Sequence, residues 1–274
     1  MIIYAYAKIN LTLDIIGRRE DGYHLIDSVF QSVGLYDILE IKKSETITVN
    51  CGEIEQKQNI AYTAAKEFFK FSGIKGGAEI NIEKRIPLLS GLGGGSADAA
   101  AVIVALDSLY RTGLSKDELV NIALKCGADV PFFIYGGTKR VGGIGEIIKP
   151  LPDIKDCYAV LVKSGGKKST KDMYKRLDSL PQQESRTQRF TEAYGEEKFN
   201  FTGNAFSLLA EDKNVVSALK DQHPIAVSVS GSGPTHFALF SAENQAKKAS
   251  ECLENQGFKP IIAPFVNCGV KITD

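Results

Sequence analysis

From Ile3 to Ile15, apolar and polar residues alternate. Ile3, Ala5, Ala7, Ile9, Leu11 and Leu13 share one parity; Tyr4, Tyr6, Lys8, Asn10 and Thr12 share the other. Successive side chains on a strand point to opposite faces, so this period predicts a strand with one buried face and one polar, chemically rich face. "RREDGYH" (18–24) reads as a turn, and "SVFQSVGLYDILEIKK" (28–43) as further strand. "NIAYTAAKEFFKFSG" (59–73) has helical spacing and ends on glycine, a common helix stop. "AEINIEKRI" (78–86) alternates again and leads into "PLLSGLGGGSADAA" (87–100), from which a helix runs to about Tyr110. A second helix starts from an N-cap at Ser115, followed by "ADVPFF" (128–133).

A glycine-rich stretch, "GGTKRVGGIGEIIKPLPD" (136–153), carries two prolines and places a domain boundary near residue 150. Beyond it, "CYAVLVK" (157–163) reads as a strand. Residues 178–200 are polar without a clear period and read as a mobile connection. "AVSVSGSGPTHFALF" (226–240) reads as strand, tight glycine turn, strand. "SAENQAKKASECLENQG" (241–257) is an amphipathic helix, and "KPIIAPFVNCGVKI" (259–272) closes as a strand. Strands and helices mix without a steady βαβ rhythm. That predicts an α+β fold with two domains, residues 1–150 and 151–274, and no internal repeat.

Composition narrows the partners. The chain has 274 residues, 43% hydrophobic and 24% charged, with a formal net charge of zero. That balance suits a globular protein and gives no reason to expect a nucleic-acid or membrane-surface partner. No apolar run approaches the ~20 residues that span a bilayer. The N-terminus lacks a basic leader and a small-residue cleavage site, so it reads as mature structure. The five cysteines are odd in number and form no C-x-x-C pair, which fits reduced thiols in the cytoplasm. The three histidines have no metal-ligand spacing, against a structural zinc site.

The loop at 87–97 admits several readings. It lacks the G-K-[ST] ending of a P-loop, and as a G-x-G-x-x-G fingerprint it has Gly91 and Gly93 but Ser96 in the last place. A flexible linker would not run into an alanine-rich helix. Two readings stand. One is an anion site, in which glycines free backbone N–H groups for a ligand and the following helix start adds positive potential. The other is a glycine turn needed only for close packing.

Other parts of the chain weigh on that choice. "PLLSGLGGGSADAA" resembles the second motif of the GHMP kinases, and "SVSGSGPTHFALF" their glycine-rich third motif. "YAKINLTLDIIGRREDGYH" and "GADVPFF" resemble the branch of that family that serves non-mevalonate isoprenoid precursor synthesis. The resemblance covers nearly the whole chain. It implies a two-domain kinase with its active site in the cleft between domains. It also implies transfer of the ATP γ-phosphate to a hydroxyl of a cytidine-diphosphate-linked methylerythritol. ATP is then the co-substrate, Mg²⁺ is expected with it, and the protein is a monomer or weak homodimer. Another small-molecule member, of mevalonate or homoserine type, and a non-catalytic nucleotide-binding member are the alternatives.

Residue roles follow from the resemblance. Asp129 matches the family's catalytic base; on local sequence alone a cap for the next helix is the stronger reading. Lys8 matches a catalytic lysine that would favour the ionised base; the plain alternative is a solvated strand lysine. Asn10 shares its face and would bind the substrate polyol or the aspartate. The loop residues Pro87, Leu88, Leu89, Ser90, Gly91, Leu92, Gly93, Gly94, Gly95, Ser96 and Ala97 form the implied ATP berth. Tyr23 would stack on a cytosine and His24 would bond its edge, with Tyr174 as a second stacking aromatic. Otherwise Tyr23 and His24 are ordinary turn residues. Gly231, Ser232 and Gly233 would bring backbone close to the substrate or the first loop. Asn59 resembles a residue near the adenine. The metal ligand is unknown, with Ser96 and Asp98 as candidates. Lysines at 163–168, His236 and the stretch Thr202–Ser207 depart from the family pattern. The cluster Lys167, Lys168, Lys171, Lys175 and Arg176 is either a diphosphate contact or a solvated face.

Overall fold

The computed structural model describes residues 1–52, 54–165, 170–179, 185–195 and 202–273. Two long strands, β1 (Ile2–Arg18) and β2 (His24–Ser44), form an antiparallel hairpin that is the spine of the molecule. There follow β3 (Thr48–Asn50), α1 (Ile60–Ser72), β4 (Gly77–Glu83), α2 (Gly94–Tyr110), α3 (Lys116–Cys126), α4 (Val130–Tyr135), β5 (Thr138–Gly143) and β6 (Ile147–Pro150). The rest comprises β7 (Tyr158–Lys163), α5 (Thr170–Leu177), α6 (Arg186–Gly195), β8 (Gly203–Asn204), α7 (Ser207–Ala210), α8 (Lys213–Lys220), β9 (Ala226–Val229), β10 (Thr235–Phe240), α9 (Glu243–Asn255), β11 (Pro260–Pro264) and β12 (Val270–Thr273). Mixed helix and strand in a largely antiparallel framework make this an α+β fold.

Eight strands form the larger sheet, in the order β12-β1-β2-β4-β3, with β5 and β6 joined to the first part of β2 and β8 to β1. Four antiparallel strands form the smaller one, β11-β7-β10-β9. One core lies between the larger sheet and helices α1 to α4, with Phe68, Ile103, Phe132 and Phe133 at its centre. A second joins the two sheets, where Ile9, Leu11 and Val33 meet Leu161, Phe237 and Leu239. A third packs α8 and α9 against the smaller sheet through Val215, Leu219, Ala249 and Leu253. Glycine and serine mark the helix ends as expected. Gly73 adopts the left-handed conformation after α1, and Ser115 forms a full capping box with Glu118 before α3.

Three expectations need correction. The single apolar face of β1 is divided: Ile3, Ala5 and Leu13 enter the helix-side core, whereas Ala7, Ile9 and Leu11 enter the inter-sheet core. Register shifts between Tyr6 and Ala7 and between Asn10 and Thr12 exchange the faces. The stretch expected to be mobile, 178–200, contains α6, anchored by fully buried Phe190. The expected closing strand is two strands in different sheets, because β11 pairs with β7 and β12 with β1.

Candidate active site

A cavity of about 960 Å³ opens where the β1–β2 turn, the loop before α2, the start of α4, α5 and the β9–β10 turn converge. Its walls include Lys8, Asn10, Tyr23, His24, Pro87–Gly91, Gly93–Ser96, Asp129, Tyr174, Gly231 and Ser232. These residues are scattered over more than 220 positions of sequence, so the fold has gathered one site from separate predictions. Leu92 and Ala97 do not reach the cavity; both are buried in the cores, where they seat the loop and the helix. Gly233 also stays outside it, donating its N–H to Ser230 O to close the β9–β10 turn.

The loop before α2 is held by backbone contact with that turn. Gly91 has φ +81°, and a Cβ there would lie 2.4 Å from Ser230 O, so only glycine fits. Ser230 Oγ donates to Gly91 O at 2.9 Å, and Thr235 N–H donates to Ser90 O at 3.2 Å. Asn204 Nδ2 donates to Val229 O and Gly231 O, both at 2.8 Å, so this residue braces the turn. α2 begins at Gly94 after a left-handed Gly93 that supplies no side-chain cap. Gly93, Gly94, Gly95 and Ser96 at this start line the cavity, where the uncapped N–H groups of a first helical turn suit an anion.

Lys8 is not a solvated strand lysine: its side chain is 4% exposed. Its Nζ donates to Asn10 Oδ1 at 2.7 Å, lies 4.3 Å from the centre of the Phe30 ring and stands 3.6 Å from Asp129 Oδ2. Asn10 Oδ1 also accepts from Gly231 N–H at 2.8 Å, and its Nδ2 donates to Ser28 Oγ. Asp129 occupies the N-cap position of α4 but makes no side-chain cap bond. Its carboxylate is 36% exposed and turns toward Lys8 and the cavity, so the capping alternative is not realised.

An aromatic corner completes the wall. His24 stacks on Tyr174 with ring centres 4.6 Å apart, and Phe206 meets Tyr174 edge-on at 4.9 Å. Burial, then the Asp129 carboxylate, pushes the Tyr174 phenol above its ordinary pKa, so it stays protonated. Tyr23 is 61% exposed at the rim, open to a stacking partner. Asn59 does not reach the cavity; it caps α1 by accepting from Ala61 N–H, and Ile60 beside it lines the wall.

Beneath the loop lies a buried charge cluster. Lys84 Nζ donates to Asp98 Oδ2 at 2.6 Å and to Asp37 Oδ2, while Asp37 Oδ1 accepts from Arg85 and Ile86 N–H. Burial drives the Asp98 pKa up to about 8; Lys84 opposes that rise and Asp37 adds to it. Asp98 is thus enclosed behind the loop rather than at the cavity wall, while Lys84 reaches the wall. Among the described residues no group of three His, Cys, Asp or Glu side chains could hold a metal.

Sequence reasoning missed Arg18, Lys84, Asp178 and Phe206, all of which line the cavity. Asp178 lies one helical turn beyond Tyr174, a spacing that could have pointed to it. Of the departures, Lys163 donates to Leu88 O at 2.8 Å and steadies the loop. His236 is buried in β10 away from the cavity, accepts from Asp212 N–H, and is held below its ordinary pKa by burial. Lys167 and Lys168 lie outside the described residues, as does the Lys171 side chain; Lys175 lines the cavity.

A glycine loop on a helix start, facing a lysine–aspartate pair in one cleft, is the layout of a small-molecule kinase. The chain matches the GHMP kinases N terminal domain over residues 59–137 and the GHMP kinases C terminal domain over 189–259. It belongs to the GHMP kinase family. It is 41% identical over 254 residues to the 4-diphosphocytidyl-2-C-methyl-D-erythritol kinase of Clostridium beijerinckii, covering 88% of this chain and 91% of that protein. It is 39% identical to the kinase of the same name from Carboxydothermus hydrogenoformans, covering 97% of each. A crystal structure of 4-(cytidine 5'-diphospho)-2C-methyl-D-erythritol kinase superposes with a TM-score of 0.80 at 31% identity, over 97% of this chain and 99% of that one. Homoserine kinase from Cytophaga hutchinsonii shares the fold, with a TM-score of 0.75 at 20% identity over 100% of this chain and 97% of that one.

Proposed function

We propose that the protein transfers the γ-phosphate of ATP to the 2-hydroxyl of 4-diphosphocytidyl-2-C-methyl-D-erythritol, a cytoplasmic step of non-mevalonate isoprenoid precursor synthesis. The relatives of that name support the reaction. The observation that carries the residue roles is the Lys8–Asp129 pair, 3.6 Å apart and facing the cavity that the glycine loop also lines.

Asp129 accepts the proton of the attacking hydroxyl. Its carboxylate is free of the capping bond that would otherwise engage it. Lys8, 3.6 Å from that carboxylate, offsets negative charge developing on the alcohol oxygen. Asn10 fixes the ammonium by accepting from it. Phosphoryl transfer has a loose transition state, so the remaining catalysis is positioning and charge stabilisation. The N–H groups at the start of α2 and the loop glycines hold the phosphates of ATP. Mg²⁺ is expected with ATP and would neutralise phosphate charge there, held largely by the phosphates, since such ions keep few protein ligands.

Asp129→Asn should lower turnover by about 10²–10⁴-fold, the usual contribution of a general base, while ATP still binds. ADP release measured with a panel of alcohols tests the substrate. Release dependent on the cytidine-bearing substrate supports the reading. Release with mevalonate or homoserine alone, or an Asp129→Asn protein of normal turnover, counts against it.

A further inference from the structure

His24 does not stand alone at the base corner of the cavity. Its Nε2 lies 2.6 Å from Asp178 Oδ1, and Asp178 Oδ2 is 3.6 Å from Arg18 Nη1. Arg18 Nε in turn donates to Gly22 O at 3.2 Å, inside the same turn that carries Tyr23 and His24. Asp178 N–H donates to Tyr174 O, so the carboxylate is rooted at the end of α5, beneath the ring on which His24 stacks. Arg18, His24, Tyr174 and Asp178 all line the cavity.

We propose that Asp178 is a positioning residue that sets the tautomer and orientation of His24, and thereby the choice of pyrimidine. A carboxylate can only accept, so Nε2 is the donor in this contact, and in the neutral ring it carries the single proton. Nδ1 is then a lone-pair acceptor. Turning the ring over would put Cε1 in place of Nε2 and lose the contact with Asp178, so that contact fixes the orientation. An acceptor at this corner suits the exocyclic amino group of cytosine, which donates. It opposes the carbonyl that uracil carries at the same position. A histidine without Asp178 would sample both tautomers and lose the distinction.

The proposal rests on the reading of this site as one for a cytidine diphosphate, and CDP and UDP probe it without any turnover. Their affinities are compared by calorimetry for the wild type, Asp178→Asn, whose amide can donate or accept, and Asp178→Glu, which restores a carboxylate. The wild type should prefer CDP by about tenfold, the cost of one mismatched hydrogen bond. Asp178→Asn should bring the ratio to within about twofold, and Asp178→Glu should recover part of it. KM for ATP should stay unchanged across the series, which separates positioning from a general loss of structure. A wild type indifferent to the base, or a folded Asp178→Asn protein with an unchanged ratio, overturns the proposal. If the ratio behaves as expected but the wild type turns over no cytidine-linked methylerythritol, the proposed reaction fails and the pairing stands.

Discussion

Asp98 binds its proton far more tightly in the folded protein than in the unfolded chain. Burial raises its pKa to about 8, with Lys84 opposing and Asp37 adding to the shift, whereas an unfolded aspartate titrates near about 3.9. Between those values the folded state carries the extra proton. Stability from this group is therefore complete below about pH 4 and is lost as pH rises toward about 8. Asp98→Asn keeps the shape and removes the proton. The stability of the wild type relative to this variant, measured by denaturant unfolding, should fall across that interval and level off above it. Parallel pH curves for the two proteins would show that Lys84 keeps Asp98 ionised throughout. Lys84 itself is pulled down by burial and held up by its two carboxylates, with a net rise, so it stays charged through the range.

At the scale of elements, the glycine loop before α2 and the β9–β10 turn act as one unit. A substitution at Gly91 tests this against a matched control. Gly91 and Gly52 both have positive φ, +81° and +55°, so alanine is strained at either, by about 1–3 kcal/mol. At Gly52 nothing lies within 4 Å of the added Cβ, whereas at Gly91 it would meet Ser230 O. Gly52→Ala should lose stability alone, with KM for ATP unchanged. Gly91→Ala should push the two loops apart and raise KM for ATP as well. Equal kinetics in both variants would uncouple the loop from the turn. Which elements exist is largely legible in the sequence, because period and end signals are local: the alternation of β1, Gly73 after α1 and Ser115 before α3 all hold. What escapes is set by partners. The register shifts in β1 depend on β2, and α6 forms in a polar stretch because Phe190 finds the inter-sheet core. Within the site, Lys8, Asp129 and the loop glycines are legible through motifs. The His24–Asp178 contact spans 154 residues and Lys84–Asp37 spans 47; the helical spacing from Tyr174 hints at Asp178, but no local pattern announces its partner or the Lys84 pair.

The whole molecule is tied together by chain that crosses between its two sheets. β12 returns from the C-terminus to pair with β1, β8 extends the same sheet, and Phe265 bridges to Val33. The helix-side core takes in Phe206 and Met173 from the second half of the chain, and the inter-sheet core draws on both halves throughout. We propose that a division near residue 150 separates the contacts each half contributes to the cleft. It carries no expectation that the halves fold separately. Residues 1–150 alone would expose the faces of Ala7, Ile9, Leu11, Val29 and Val33, fully buried positions in the intact chain. They would also leave the outer edge of β1 unpaired, a state prone to association. Denaturant unfolding of the full chain should therefore give a single transition, coincident by far-UV circular dichroism and tyrosine fluorescence. The 1–150 fragment should be unfolded or aggregated under the same conditions. Two resolved transitions, or a fragment with native-like dispersion in its NMR spectrum, would mean that the inter-sheet core stabilises far less than its burial implies. In that case the cleft would be a hinge between independent bodies rather than a seam within one.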